Sequence, residues 1–107
     1  MLTSFELIKF YIQSGILNKF TAAESLTLLT LASSYSHISG CSFPSQDYIA
    51  DKTGLTRQTV NECVKKLKTE RMIIVEKVKR SNKYHFPHAD MKNYNNKKID
   101  KCVKDWR

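Results

Sequence analysis

The fold is decided by residues 46–65, QDYIADKTGLTRQTVNECVK. Two helices joined by a tight turn cross at a steep angle only when three local demands are met. The first helix needs a small residue where the second passes over it, and Ala50 supplies one. The turn needs a residue that tolerates positive φ, which Gly54 provides four positions later. The second helix needs an apolar, preferably β-branched anchor, and Val60 stands six positions beyond the glycine. Ile49, Leu55, Cys63, Val64 and Leu67 fill the other inward slots in register. Ser45 is expected to cap the first helix, about Gln46 to Thr53, and Thr56 the second, about Arg57 to Arg71.

Rotation at about 100° per residue sorts the second helix into faces. With Val60 at zero, Cys63, Val64 and Leu67 fall at about 300°, 40° and 340°, which defines the buried stripe. Arg57, Lys68, Asn61, Lys65 and Gln58 fall at about 60°, 80°, 100°, 140° and 160°. All of these are cations or amides. The acids Glu62 and Glu70 fall on the other flank, at about 200° and 280°. Arg and Lys match guanine edges in a major groove, and Asn or Gln match adenine. A solvated polar face is the plainer reading of such a stripe; segregation of the acids favours contact with a polyanion.

Working outward, residues 4–14 fit a short helix capped by Thr3 or Ser4 and stopped by Gly15, with Phe5, Ile8, Tyr11 and Ile12 at helical spacing. Ile16 to Phe20 is a connector. Thr21 and Glu24 form a capping box for a helix ending near Ser36, apolar on most sides through Leu26, Leu28, Leu29, Leu31 and Ala32 and therefore central. Cys41-Ser42-Phe43 is a brief extended stretch, because the residue before Pro44 is pushed out of helical space. Beyond the second helix of the pair, Met72 to Lys79 reads as a strand and Lys83 to Phe86 as its partner. Arg80-Ser81-Asn82 is the turn between them, with Asn82 at positive φ. Pro87 closes the second strand. In the polar, basic end segment Ile99, Cys102, Val103 and Trp106 recur at helical spacing after a candidate cap at Asn96, and a docked helix and a frayed tail both remain open.

Charge reinforces the pattern. The 107 residues carry a formal net charge of +8, but residues 1–56 contribute −1 and residues 57–107 contribute +9. Such asymmetry points to a polyanionic partner. At 41% hydrophobic and 26% charged residues, the chain is globular rather than disordered. No apolar run approaches the ~18 residues of a membrane span, and the start does not read as a signal peptide. An odd count of three cysteines at long spacing argues for a reducing compartment, the bacterial cytoplasm or nucleoid. His37, Cys41, His85 and His88 lack the paired spacing of structural zinc, and no metal or cofactor is expected. There is no GxSxG, Gly-rich phosphate loop or HExxH, so an enzyme is not expected either.

Helix, turn, helix and basic hairpin, carried by FPSQDYIADKTGLTRQTVNECVKKL, resemble the winged helix-turn-helix domains of plasmid and phage replication initiators and bacterial transcription regulators. The resemblance implies a mainly α fold with a small β-hairpin wing. It covers residues 21–87, with an N-terminal helix and connector at 1–20 and a basic tail, helical or not, at 88–107. Families of this kind commonly place glycine between the recognition helix and the wing. Arg71 stands there in this sequence, so the helix is expected to end differently and the wing to tilt.

The resemblance implies binding of double-stranded DNA. The helix at about 57–71 would enter the major groove, with the wing at about 77–83 on the backbone. Arg57, Gln58, Asn61 and Lys65 are the candidate base or near-base contacts. Ser45, Thr56, Lys68, Lys79, Arg80 and Lys83 are the candidate phosphate contacts. Lys77 adds to the wing charge, and Glu76 alone opposes it. Apolar segments at both ends, Phe5 to Ile12 and Ile99 to Trp106, offer a homodimer surface or cap the domain's own core. The other function class open to the chain is a protein-interaction module that keeps the fold without reading DNA. No small-molecule substrate is evident.

Overall fold

The computed structural model describes residues 3–36, 38–79 and 81–89. Four helices precede a two-stranded hairpin: α1 (Ser4–Gln13), α2 (Ala22–Ser33), α3 (Gln46–Thr53) and α4 (Arg57–Thr69), then β1 (Ile74–Val78) and β2 (Ser81–His85). The architecture is mainly α with a β-hairpin wing, a winged helix-turn-helix with an added N-terminal helix. Residues 16–19, expected as a plain connector, form a short 3-10 helix entered through Gly15 at φ 76°.

Capping chemistry fixes where the helices start. Thr3 and Glu6 form a reciprocal box at α1, as Thr21 and Glu24 do at α2, each pair satisfying two backbone donors. Ser45 Oγ accepts from the Tyr48 amide at 3.0 Å and Thr56 Oγ1 from the Thr59 amide at 3.1 Å, so α3 and α4 begin at the expected residues. Gly54 ends α3 at φ 79°, its N–H donating to the Ala50 carbonyl at 2.9 Å.

α2 is the central helix, packed by α1, α3 and α4. Leu28, Leu31 and Ala32 are fully buried, and the buried Thr27 hydroxyl donates a hydrogen bond to the Ala23 carbonyl at 2.9 Å. Leu7 and Tyr11 of α1 join Leu28, Ile49, Val60, Leu67 and Tyr84 in one cluster. Three boundary or facing expectations are corrected here. α2 stops at Ser33, not near Ser36, because Ser36 pairs with Cys41 instead of continuing the helix: its amide donates to the Cys41 carbonyl at 3.1 Å. Leu26 is exposed. On α1 the buried residues are Leu7 and Tyr11, while Phe5 and Ile12 are 73% and 57% exposed, because α2 lies against the other side of the helix.

α4 ends at Thr69, two residues before the expected Arg71. The ending is nevertheless the left-handed closure in which glycine is the usual residue. Arg71 adopts φ 61°, its N–H donates to the Lys68 carbonyl at 3.0 Å, and Met72 N–H donates to the Leu67 carbonyl at 2.9 Å. This is a Schellman closure with an arginine in the left-handed position. Met72 and Leu67, both fully buried, supply its apolar contact. Their burial offsets the cost of a side chain at positive φ, on the order of 1 kcal/mol, so the helix closes in the left-handed form despite the missing glycine.

The hairpin turn is also corrected. Ile74 pairs with His85 and Val78 with Ser81, so Ser81 and Asn82 belong to β2 rather than to the expected turn at 80–82. Lys79 takes φ 55°, and Asn82 sits inside β2 opposite Lys77. The reason is register: Val75 and Tyr84 are partners, and Tyr84 is buried toward the core, so any slip would turn it outward. Ser42 joins the hairpin through a single antiparallel bridge, exchanging bonds of 2.9 and 2.8 Å with Tyr84, which fulfils the extended reading of 41–43. Residues 87–89 make a single 3-10 turn after the strand. The apolar pattern from Ile99 to Trp106, and its cap Asn96, lie outside the described residues.

Candidate nucleic-acid interface

α4 is seated by its apolar stripe. Val60, Cys63, Val64 and Leu67 are buried against α2 and α3, as the rotation predicts. Cys63 also touches the Thr27 hydroxyl, and burial pushes its thiol above the usual range, leaving an unreactive core residue. With that face fixed, Arg57, Gln58, Lys65 and Lys68 are exposed together and Asn61 is half-buried at the edge. Glu70, on the opposite flank, is paired with Lys66 at 3.2 Å.

The first turn of α3 reaches across to this flank in two places. Arg57 Nη1 lies 3.3 Å from Asp47 Oδ1 and 3.4 Å from Oδ2. Gln46 Nε2 donates to Asn61 Oδ1 at 3.1 Å. The arginine pair is exposed on both sides, so its net worth is at most about 1 kcal/mol and a phosphate or base edge can replace the carboxylate. Sequence reasoning placed Arg57 and Asn61 but missed both partners. The spacing of 10 and 15 residues carries no local signal, since only the helix crossing brings them together.

The proposed phosphate contacts are arranged unequally. Ser45, exposed, uses an oxygen lone pair on the α3 cap and retains an O–H to donate. Thr56 spends its proton on Thr59 Oγ1 at 2.9 Å. Lys68 and Lys79 are exposed. Lys83 is half-buried, and its ammonium lies 5.7 Å from the Phe43 ring centroid. The Ser42–Tyr84 bridge places Phe43 beside Lys83 across the strands, with Glu76 on the other side of Lys83 in register. Glu76 is also engaged by its neighbour in the other strand, its Oε1 2.8 Å from His85 Nε2. Arg80 lies outside the described residues. Phe43, 51% exposed beside a wing lysine, was not anticipated as part of this surface.

Among the described residues no three His, Cys, Asp or Glu side chains stand close enough to hold a metal. His37 lies outside them. His88 is buried beside α1, 5.5 Å from the Phe10 ring and 5.9 Å from Tyr11, and burial pulls its imidazole down to a pKa of about 4. No helix among the described residues is long and apolar enough to cross a membrane.

No curated protein matches the chain at a significant level. The solved structure of disulfide-formed AbfR aligns with it at a TM-score of 0.49 and 14% identity, over 97% of this chain and 70% of that one. Residues 20–71, running from the approach to α2 through the left-handed arginine after α4, match the family described as a helix-turn-helix domain.

Proposed function

We propose that this chain binds double-stranded DNA, with α4 in the major groove and the β1–β2 wing on the flanking backbone, in control of transcription or initiation of plasmid or phage replication. The observation that carries this reading is the sorting of α4. One exposed flank holds Arg57, Gln58, Asn61, Lys65 and Lys68, while Glu62 and Glu70 stand on the other, with Glu70 already paired. Arg57, Gln58, Asn61 and Lys65 are the base-reading set; Ser45, Lys68, Lys79, Lys83 and, from the sequence, Arg80 are the backbone set, joined by Thr56 once its hydroxyl turns from Thr59 to a phosphate. No cofactor or small-molecule substrate enters the mechanism.

The test is selection of bound duplexes from a random pool, followed by titration at several salt concentrations. If about six phosphates are neutralised, log K falls against log salt with a slope near −5. Affinity independent of salt would sink the reading. The exposed Phe5 and Ile12 of α1 favour a protein partner in addition, for which a second copy of the chain is the proposal. Sedimentation at micromolar concentration distinguishes the homodimer from a monomer. A winged helix that binds protein and reads no DNA is the competing function, and an unenriched pool would favour it.

A further inference from the structure

The two links between α3 and the outer flank of α4 differ in what they leave exposed. Arg57 retains free guanidinium donors beyond the nitrogen facing Asp47. Asn61 has only two functional arms, a carbonyl that accepts and an NH2 that donates. Its carbonyl is turned to α3, where Gln46 Nε2 donates to it at 3.1 Å, and both side chains are half-buried. Gln46 is the first residue of α3, held in place by the Ser45 cap before it and by the Gly54 turn that docks α3 on α4. The planar amide then carries its NH2 on the arm away from Gln46. An unrestrained asparagine reads adenine with both arms, oxygen to N6 and nitrogen to N7.

We infer that Gln46 is a positioning residue for base specificity: by engaging the Asn61 carbonyl it turns Asn61 into a donor, so that this position reads guanine rather than adenine. The inference rests on the DNA-binding reading above. Guanine offers two major-groove acceptors, O6 and N7, to the NH2 group. Adenine places its own N6 amino group beside N7, and cytosine presents an amino donor, so each sets donor against donor. Gln46 itself need not touch a base.

The experiment compares duplexes selected from a random pool by the wild-type chain and by N61A, Q46L and Q46E. The N61A variant locates the position, because preference there disappears. Wild type is expected to enrich guanine at it. Leucine at position 46 frees the Asn61 carbonyl, and the preference moves to adenine, with a change in the guanine-to-adenine ratio of about tenfold or more. Glutamate can only accept, so Asn61 must turn its NH2 inward and its oxygen outward, which selects adenine or cytosine. Q46E keeps the test decisive should Q46L fail to fold in a thermal melt. Unaltered base preference in the variants overturns the inference while leaving DNA binding intact. Uniform weakening on all sequences does so too, since that is what a phosphate contact or a purely structural role produces. A wild-type chain that enriches no sequence overturns the DNA reading itself, and this inference with it.

Discussion

Asp47 holds Arg57 across the turn between α3 and α4, its two carboxylate oxygens 3.3 and 3.4 Å from Nη1. An anion of the protein's own thus occupies the first cation of α4. Both side chains are largely exposed, so the contact orients Arg57 without committing it. Replacing Asp47 with Asn removes one negative charge from the interface and leaves the guanidinium for phosphate or base. Affinity for duplex DNA is expected to rise a few-fold at low salt, with stability altered by less than about 1 kcal/mol. Fluorescence anisotropy at fixed ionic strength checks this; weaker binding by D47N would show that Asp47 aims Arg57 at a base.

Arg71 offers a test of the α4 terminus. Glycine at this left-handed position relieves the contact between Cβ and backbone, and the Met72–Leu67 bond needs no side chain at 71. R71G is expected to gain on the order of 1 kcal/mol, or roughly 4–8 °C in Tm for a domain of this size. R71V, β-branched at positive φ, is expected to lose more than that. Thermal melts of the three proteins decide it.

His88 ties stability to pH. Its folded pKa of about 4 lies below the ordinary 6.5, so between those values the unfolded chain binds the proton and the folded one does not. The contribution is complete above pH 6.5 and is lost as pH falls toward 4, amounting to about 3 kcal/mol. His88→Phe, which retains the stacking on Phe10, is expected to flatten the stability profile in this window. Urea midpoints at three pH values read the difference, and a parallel decline in both proteins would count against it.

The wing cations are expected to act without regard to sequence. K79Q and K83Q should each weaken every duplex alike and make the salt slope shallower by about one. F43L removes the ring beside the Lys83 ammonium and should reproduce part of the K83Q loss with no charge changed. A change in base preference in any of the three would move the wing from backbone contact to readout.

The helix-turn-helix was legible because its requirements are local. Ser45, Ala50, Gly54, Thr56 and Val60 are each demanded within a few residues by a cap, a crossing or a turn, and the buried face of α4 follows from periodicity alone. The hairpin was legible as an element but not in register, since β-branched residues announce strands while only the seating of Tyr84 on Ser42 chooses the partners. At Arg71 the absence of glycine suggested a different ending, yet a local cost of order 1 kcal/mol was smaller than the gain from burying Met72 on Leu67. α1 displays why periodicity does not say which of two apolar stripes is inward. Leu7 and Tyr11 lie inside, and Phe5 and Ile12 outside, because of where α2 stands.

The sequence by itself determined the order of elements, the helix starts, the seat of α4 and the placement of cations on its outer flank. These depend on dihedral preferences, capping and the 3.6-residue repeat, all of which act within a turn or two of the chain. Tertiary structure alone decided what those outer residues touch. Asp47 meets Arg57 and Gln46 meets Asn61 only after α3 and α4 cross, and Phe43 meets Lys83 only after Ser42 joins the hairpin. Such contacts depend on how packed elements are placed in space, and no periodicity along the chain encodes that distance.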